Sequence, residues 1–170
     1  AVSFGAWLAL SNRFGVCADA FAGHSYGELP ALAAAGRIGP ADLFALSRNR
    51  GELMAAPREG DPGSMIAVLA PLEEIRTTLD ERKLELVIAN KNAPTQAVLS
   101  GPTLDIEKAV DAFRAKSVRT IRLPVAAAFH SPLVSDAATP FREALEGVEF
   151  RDSPVPVFAN TTAQEYPAEN

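Results

Sequence analysis

Five residues constrain this chain more than any others: Gly23, His24, Ser25, Tyr26 and Gly27, which follow a short apolar stretch ending at Phe21 and Ala22 and lead into Glu28 and the apolar run 29–35. A serine between two glycines at a strand-to-helix junction is the pattern of a nucleophile elbow. Glycines on either side remove Cβ atoms expected to clash when the serine is held at a strained backbone angle, and the hydroxyl then stands beside the start of a helix. Backbone N–H groups there, beginning with that of Tyr26, point where the oxygen of an attacked carbonyl would gather charge. The bland alternative is a plain strand-turn-helix corner. The alanine- and leucine-rich helical pattern that follows, closing at Gly36, favours the elbow.

The rest of the chain narrows the possibilities. With 170 residues, 48% of them apolar, it can bury a real core as one domain with an inserted lobe. A formal charge of −5, with acidic and basic residues interspersed, argues against a nucleic-acid partner. No apolar run reaches the length of a membrane span, and residues 1–10 have no basic lead of the kind a signal peptide carries. Cys17 is the only cysteine, so no internal disulfide can form; a reducing, cytoplasmic setting and a small buried role for Cys17 are expected. No metal site is expected. The chain opens inside an amphipathic helix carrying Phe4, Trp7, Leu8 and Leu10 and stops soon after a strand, which reads as a piece of a longer protein.

Taken in order, the pattern predicts a helix over 3–14, a strand over 18–23, the elbow helix over 26–35 and a second helix over 40–57 opened by Gly39 and Pro40. The elbow helix runs away from Ser25 and the second returns antiparallel. At ~1.5 Å per residue, the tenth or eleventh position of the second helix comes back level with the serine. That position is Arg50. It either snorkels to water or turns its guanidinium inward, where the planar fork suits a free carboxylate with two parallel hydrogen bonds. Residues 57–63, rich in Pro and Gly, read as a linker. Beyond it the order strand 64–70, helix 71–81, strands 84–90 and 96–100, helix 102–116 and strand 118–123 is βαββαβ, the split unit of a ferredoxin-like subdomain. The fold expected is therefore α/β: a hydrolase-like core with a short parallel sheet and the elbow, from residues 1–63 and 124–170, with a ferredoxin-like insertion over 64–123.

A serine nucleophile needs a base, and there are two histidines. His24 adjoins Ser25, where neighbouring side chains diverge, so it is expected to pack beneath the turn. His130 is the candidate by elimination. It precedes Ser131 and Pro132, suited to the N-cap and first position of a helix over 133–146 that Pro140 should kink or divide. No third, orienting group stands out; Asp136 and Asp152 carry no spacing argument. Residues 155–159 read as a final parallel strand.

The motifs GHSYGELPALAAAG, Arg50 in SRNRG, AAAFHSP and VPVFANTT, in that order, resemble the malonyl-CoA:acyl-carrier-protein transacylase family, in particular the acyltransferase domains of polyketide synthases. The resemblance covers essentially the whole chain. It implies that Ser25 carries the acyl group as an ester, His130 acts as base and then acid, Arg50 holds the substrate's free carboxylate and the Tyr26 N–H serves the oxyanion. It implies malonyl-CoA as donor, the phosphopantetheine thiol of an acyl carrier protein as acceptor, no resident cofactor, and flanking domains of a multidomain synthase as partners. An aromatic residue directly before the histidine, as Phe129 is, goes with malonyl selectivity in this family because it crowds the space of an α-methyl group. Ala127 stands where such domains often carry a histidine, and Tyr26 where a smaller aliphatic residue or glutamine is common; both are implied to line the acyl pocket. In this family the histidine is oriented by a backbone carbonyl, which would account for the missing aspartate. Two other readings share some of these features. A serine hydrolase or thioesterase would use the same Ser–His pair but needs an acid between them in chain order, and a non-catalytic fragment of a synthase needs neither residue.

Overall fold

The computed structural model describes residues 2–56 and 60–167. Residues 57–59 of the expected linker lie outside that range. The chain divides into two compact units, residues 1–52 with 140–170, and residues 53–139.

The first unit is built on helices α1 (Val2–Phe14), α2 (Glu28–Ala34), the greater part of α3 (Pro40–Ala55) and most of α6 (Ala138–Glu146), with two short strands, β1 (Phe21–Ala22) and β6 (Val157–Phe158). β1 and β6 pair in parallel, Phe21 opposite Val157 and Ala22 opposite Phe158, so the final strand is parallel as its sequence suggested. Its core joins Phe4 of α1, Leu29, Ala31, Leu32 and Ala33 of α2, Ile38 of the connection that follows, Leu43 and Leu46 of α3, and Val157. Trp7 and Phe21 meet edge to face at 4.9 Å between ring centroids. Gly36, at φ +80, ends the helical turn after α2, as its place in the sequence predicted. Two expectations fail here. Leu8 and Leu10, grouped with Phe4 and Trp7 as one buried face of α1, are both exposed. Leu10 lies six residues beyond Phe4, on another side of a 3.6-residue helix. Cys17 is exposed rather than buried, in the loop that leaves α1 through Gly15 at φ +66.

The second unit holds a four-stranded antiparallel sheet of β2 (Ser64–Val68), β3 (Val87–Ala93), β4 (Gln96–Gly101) and β5 (Thr120–Arg122), in the order β3-β4-β2-β5. Helices α4 (Leu72–Arg82) and α5 (Thr103–Ala115) complete the element order βαββαβ. Strand alternation sorts the side chains. Ile66, Val68, Ala97 and Leu99 face Ile75 and Leu79 of α4 and Ile106, Ala109 and Phe113 of α5. Met65, Ala67 and Val98 point to the opposite side, against Leu123 and Phe129. Both faces are therefore covered, which is why β2 reads as a nearly unbroken apolar run. Each fully buried large side chain here, such as Phe113 or Leu99, contributes about 1.5–3 kcal/mol by leaving water.

The junction before the sheet is tied by Asp61. Its carboxylate accepts from the N–H and the hydroxyl of Thr103, each at 2.6 Å, and from the N–H of Gly63 at 2.9 Å. An orphan donor of the first turn of α5 is thus satisfied from 42 residues away. Those bonds, the Thr103 hydroxyl first, hold the carboxyl below its ordinary 3.8. A lowered folded value means that this contribution is complete above pH 3.8 and is lost as pH falls through the folded value. Asp61→Ala is expected to cost about 0.5–1 kcal/mol in denaturant unfolding at neutral pH, low in the range for caps because the site is exposed. The deficit should shrink below pH 3.8.

The segment after β5 follows the sequence closely. Ser131 caps a 3-10 helix, Pro132–Ala137, accepting from Leu133 N–H at 3.3 Å, with Pro132 in its first turn. The helix expected over 133–146 is divided, and the α-helical part begins at Ala138, placing Pro140 in its first turn, where a missing N–H costs little.

Candidate active site

β1 ends at Ala22, and a 3-10 turn, Ser25–Gly27, delivers the chain into α2. Ser25 sits at φ +52, in the left-handed region that a residue with a Cβ occupies at a cost of about 1–2 kcal/mol. The two glycines around it are not equivalent. A Cβ on Gly23 would stand 2.0 Å from both the carbonyl carbon and oxygen of Gly27 and 2.4 Å from the Glu28 nitrogen. A Cβ on Gly27 would meet nothing within 4 Å among the described residues. The expectation that both relieve a clash holds for Gly23 only. His24, expected beneath the turn, is exposed, on extended backbone at φ −81 and ψ 123.

The Gly27 N–H donates to the His24 carbonyl at 2.9 Å and closes the turn. The Tyr26 N–H, expected from the sequence to meet a developing oxyanion, belongs to the first turn of this 3-10 segment. The Tyr26 side chain turns towards α3. Its hydroxyl lies 2.7 Å from Ser47 Oγ, and its ring lies under the guanidinium of Arg50, whose Cζ is 5.8 Å from the ring centroid. The eleventh residue of α3 thus returns level with the residue next to Ser25, and Arg50 is half-buried rather than extended fully into water.

Glu28, first residue of α2, fixes the other side of the turn. Its Oε1 accepts from the Asn160 N–H at 2.7 Å and from the Tyr166 hydroxyl at 2.8 Å. The sequence offered no periodic sign of a bond between residues 138 apart. Burial first, then the bond to Glu28 and its charge, push the Tyr166 phenol from 10.0 up to about 12. A raised folded value means that stability from this group is complete below pH 10 and is lost as pH rises towards 12. Alkaline unfolding followed by circular dichroism is expected to be less steep over that window in Tyr166→Phe than in the parent; equal slopes would refute the assignment.

His130 belongs to the second unit. It is exposed and sits at φ +61, between Phe129 and the Ser131 cap. Phe129 is half-buried against the sheet face formed by Met65, Ala67 and Val98, and Ala127 is buried. Five non-glycine residues among those described have positive φ: Ser25, Lys83, Ser117, His130 and Ala163. Lys83 and Ser117 have an ordinary reason, being at helix C-termini, where the left-handed turn recovers orphan carbonyls. Ser25, His130 and Ala163 lie at no helix C-terminus, and each holds this strained conformation in a turn or bend of the chain. Among the described residues no group of three or more His, Cys, Asp or Glu side chains is placed to hold a metal ion, and no helix is long and apolar enough to cross a membrane.

Residues 2–170 match the family described as acyl transferase domain. A polyketide biosynthesis protein of Burkholderia thailandensis is 41% identical over 150 residues, 85% of this chain and 13% of its own length. The malonyl CoA-acyl carrier protein transacylase of Bacillus subtilis is 34% identical over 164 residues, 92% of this chain and 52% of its own. Among solved structures, a malonyl CoA-acyl carrier protein transacylase from Burkholderia pseudomallei superimposes with a TM-score of 0.90 at 36% identity, over 99% of this chain and 58% of that one. The chain spans about half the length of the transacylases it matches, and far less of the longer polyketide protein.

Proposed function

The chain belongs to the acyl transferase domain family, and from that membership we propose that it carries the nucleophile of an acyltransferase that moves a malonyl unit from CoA to the phosphopantetheine thiol of an acyl carrier protein. The observation that carries the reading is Ser25 held at φ +52 between β1 and α2, with Arg50 against the ring of the next residue. The order β3-β4-β2-β5 of the antiparallel sheet supports a ferredoxin-like subdomain over 64–123, and the β1–β6 parallel pair with its helices supports the hydrolase-like character of the core, whose bounds of 1–63 and 124–170 rest on the sequence pattern.

In this reading the Ser25 oxygen attacks the thioester carbonyl carbon while its proton passes to the His130 imidazole. The negative charge formed on the carbonyl oxygen is met by the Tyr26 N–H. The carbon–sulfur bond breaks, CoA leaves with the proton returned by His130, and Ser25 holds the malonyl ester. The carrier thiol then gives its proton to His130, its sulfur attacks the ester carbonyl, the carbon–oxygen bond breaks and Ser25 recovers its proton. Arg50 binds the free carboxylate of the malonyl group throughout, and Phe129 and Ala127 line the acyl pocket. CoA and phosphopantetheine enter as parts of the substrates, so the steps use no resident cofactor. The setting is cytoplasmic, beside the other domains of a synthase.

The test is intact-protein mass measurement, on a polypeptide of the relatives' full length that contains this chain, after incubation with a panel of acyl-CoA thioesters. A malonyl-mass adduct on Ser25 that the carrier thiol removes faster than water is expected. Removal by water at the same rate would make the protein a hydrolase. Arg50→Ala is expected to lower malonyl loading about 10- to 100-fold, the worth of a charge-assisted pair, while acetyl loading stays level or rises.

A further inference from the structure

Arg50 does not stand on its helix alone. Its Cζ lies 5.8 Å from the centroid of the Tyr26 ring, within the range over which a ring face attracts a cation. The ring is itself tethered. Ser47 Oγ donates to the Leu43 carbonyl at 2.5 Å and lies 2.7 Å from the Tyr26 hydroxyl. A serine hydroxyl has one proton, and Leu43 receives it, so the phenol is the donor in the second bond. Ser47 and Arg50 are three residues apart on α3 and therefore share a face. A continuous set of contacts runs from the helix backbone through Ser47 and the phenol to the ring and then the guanidinium.

We propose that Tyr26 is a positioning residue for Arg50: its ring, fixed by Ser47, restricts the guanidinium and so raises selection for acyl thioesters that carry a free carboxylate over those that do not. This rests on the reading of Arg50 as the carboxylate-binding group. An arginine side chain has several rotatable bonds, and each one restricted before binding is one that the substrate need not restrict. Tyr26 then has two parts with separate duties. Its N–H faces the reacting carbonyl oxygen, while its ring, anchored on α3, faces the far end of the acyl group.

The experiment compares Ser25 loading from malonyl-CoA and from acetyl-CoA in the full-length protein and in its Tyr26→Phe, Tyr26→Leu and Ser47→Ala variants. In Tyr26→Leu the malonyl-to-acetyl ratio is expected to fall about two- to fivefold, the worth of one cation–π contact at a partly exposed site, through a higher malonyl KM. Tyr26→Phe and Ser47→Ala keep the ring and lose the tether, so each should fall less than Tyr26→Leu. The latter two also carry the test if Tyr26→Leu fails to fold. Equal losses for both thioesters in Tyr26→Leu, or a Tyr26→Phe as impaired as Tyr26→Leu, would overturn the proposal and leave the function intact. A second readout is independent of turnover: phenylglyoxal should modify Arg50 faster in Tyr26→Leu than in the parent, and an unchanged rate would overturn the positioning role. If the parent itself shows no preference for malonyl over acetyl, the role of Arg50 falls, and this inference with it.

Discussion

Gly23→Ala is expected to lower the stability of the chain by about 3 kcal/mol or more, whereas Gly27→Ala, in the same five-residue motif, should leave it unchanged or raise it by up to about 1 kcal/mol. The added methyl at position 23 would overlap the carbonyl group of Gly27 at 2.0 Å and the Glu28 nitrogen at 2.4 Å. Both lie on backbone, which cannot rotate aside as a long side chain would. Relief would require opening the turn, and with it the seat of Ser25 and the start of α2. At position 27, with φ −59, alanine suits the local conformation and meets no neighbour among the described residues, so the main effect is a less disordered unfolded chain. Denaturant midpoints of the two variants check this, and coincident midpoints would show that the close approach at Gly23 is not what shapes the turn.

Ser25→Ala separates chemistry from shape. The substitution keeps the Cβ and removes only the hydroxyl, so the thermal midpoint is expected to stay within a few degrees of the parent's, a shift worth about 1 kcal/mol or less. The covalent adduct, by contrast, should disappear entirely, because the ester bond has no oxygen to form from. Intact mass after incubation with malonyl-CoA reads the outcome directly. A surviving adduct of malonyl mass would place the nucleophile elsewhere in the chain and remove the basis of the proposed reaction. The comparison also has a diagnostic pattern: Gly23→Ala should lose both stability and loading, while Ser25→Ala loses loading alone.

Much of the architecture could be read from local pattern. The βαββαβ order emerged because each of its elements carries a local signal, with short continuous apolar runs in β2 and β4 and an apolar stripe in α5. The start of the divided helix was legible because Ser131 and Pro132 act on their immediate neighbours. Arg50 was placed by counting helical rise, which is nearly constant. What the sequence concealed depends on contacts between distant residues. Nothing near Gly23 distinguishes it from Gly27; the difference arises only when the turn brings residue 23 onto the backbone of residues 27 and 28. Asp61 capping α5, Tyr26 reaching Ser47 and Glu28 receiving Tyr166 are pairings of polar side chains across 42, 21 and 138 positions, and they leave no periodic trace. The exposure of His24 and Cys17 was missed for a related reason. Residue type gives only a general tendency towards burial, and both lie on short connecting segments whose direction is set by backbone angles.

The bonds to Glu28 bear on how such a chain could be recombined with others. The carboxylate that opens α2 receives the amide of Asn160 and the phenol of Tyr166, while Phe158 bridges to Glu165 in the same stretch. An engineered hybrid joined between Phe158 and Tyr166 would give the serine's helix a foreign partner, even with every residue of the motif retained. Splice points placed beyond Tyr166 keep the helix and its anchor from the same parent, and hybrids cut on either side of that position should differ in loading despite identical GHSYG sequences.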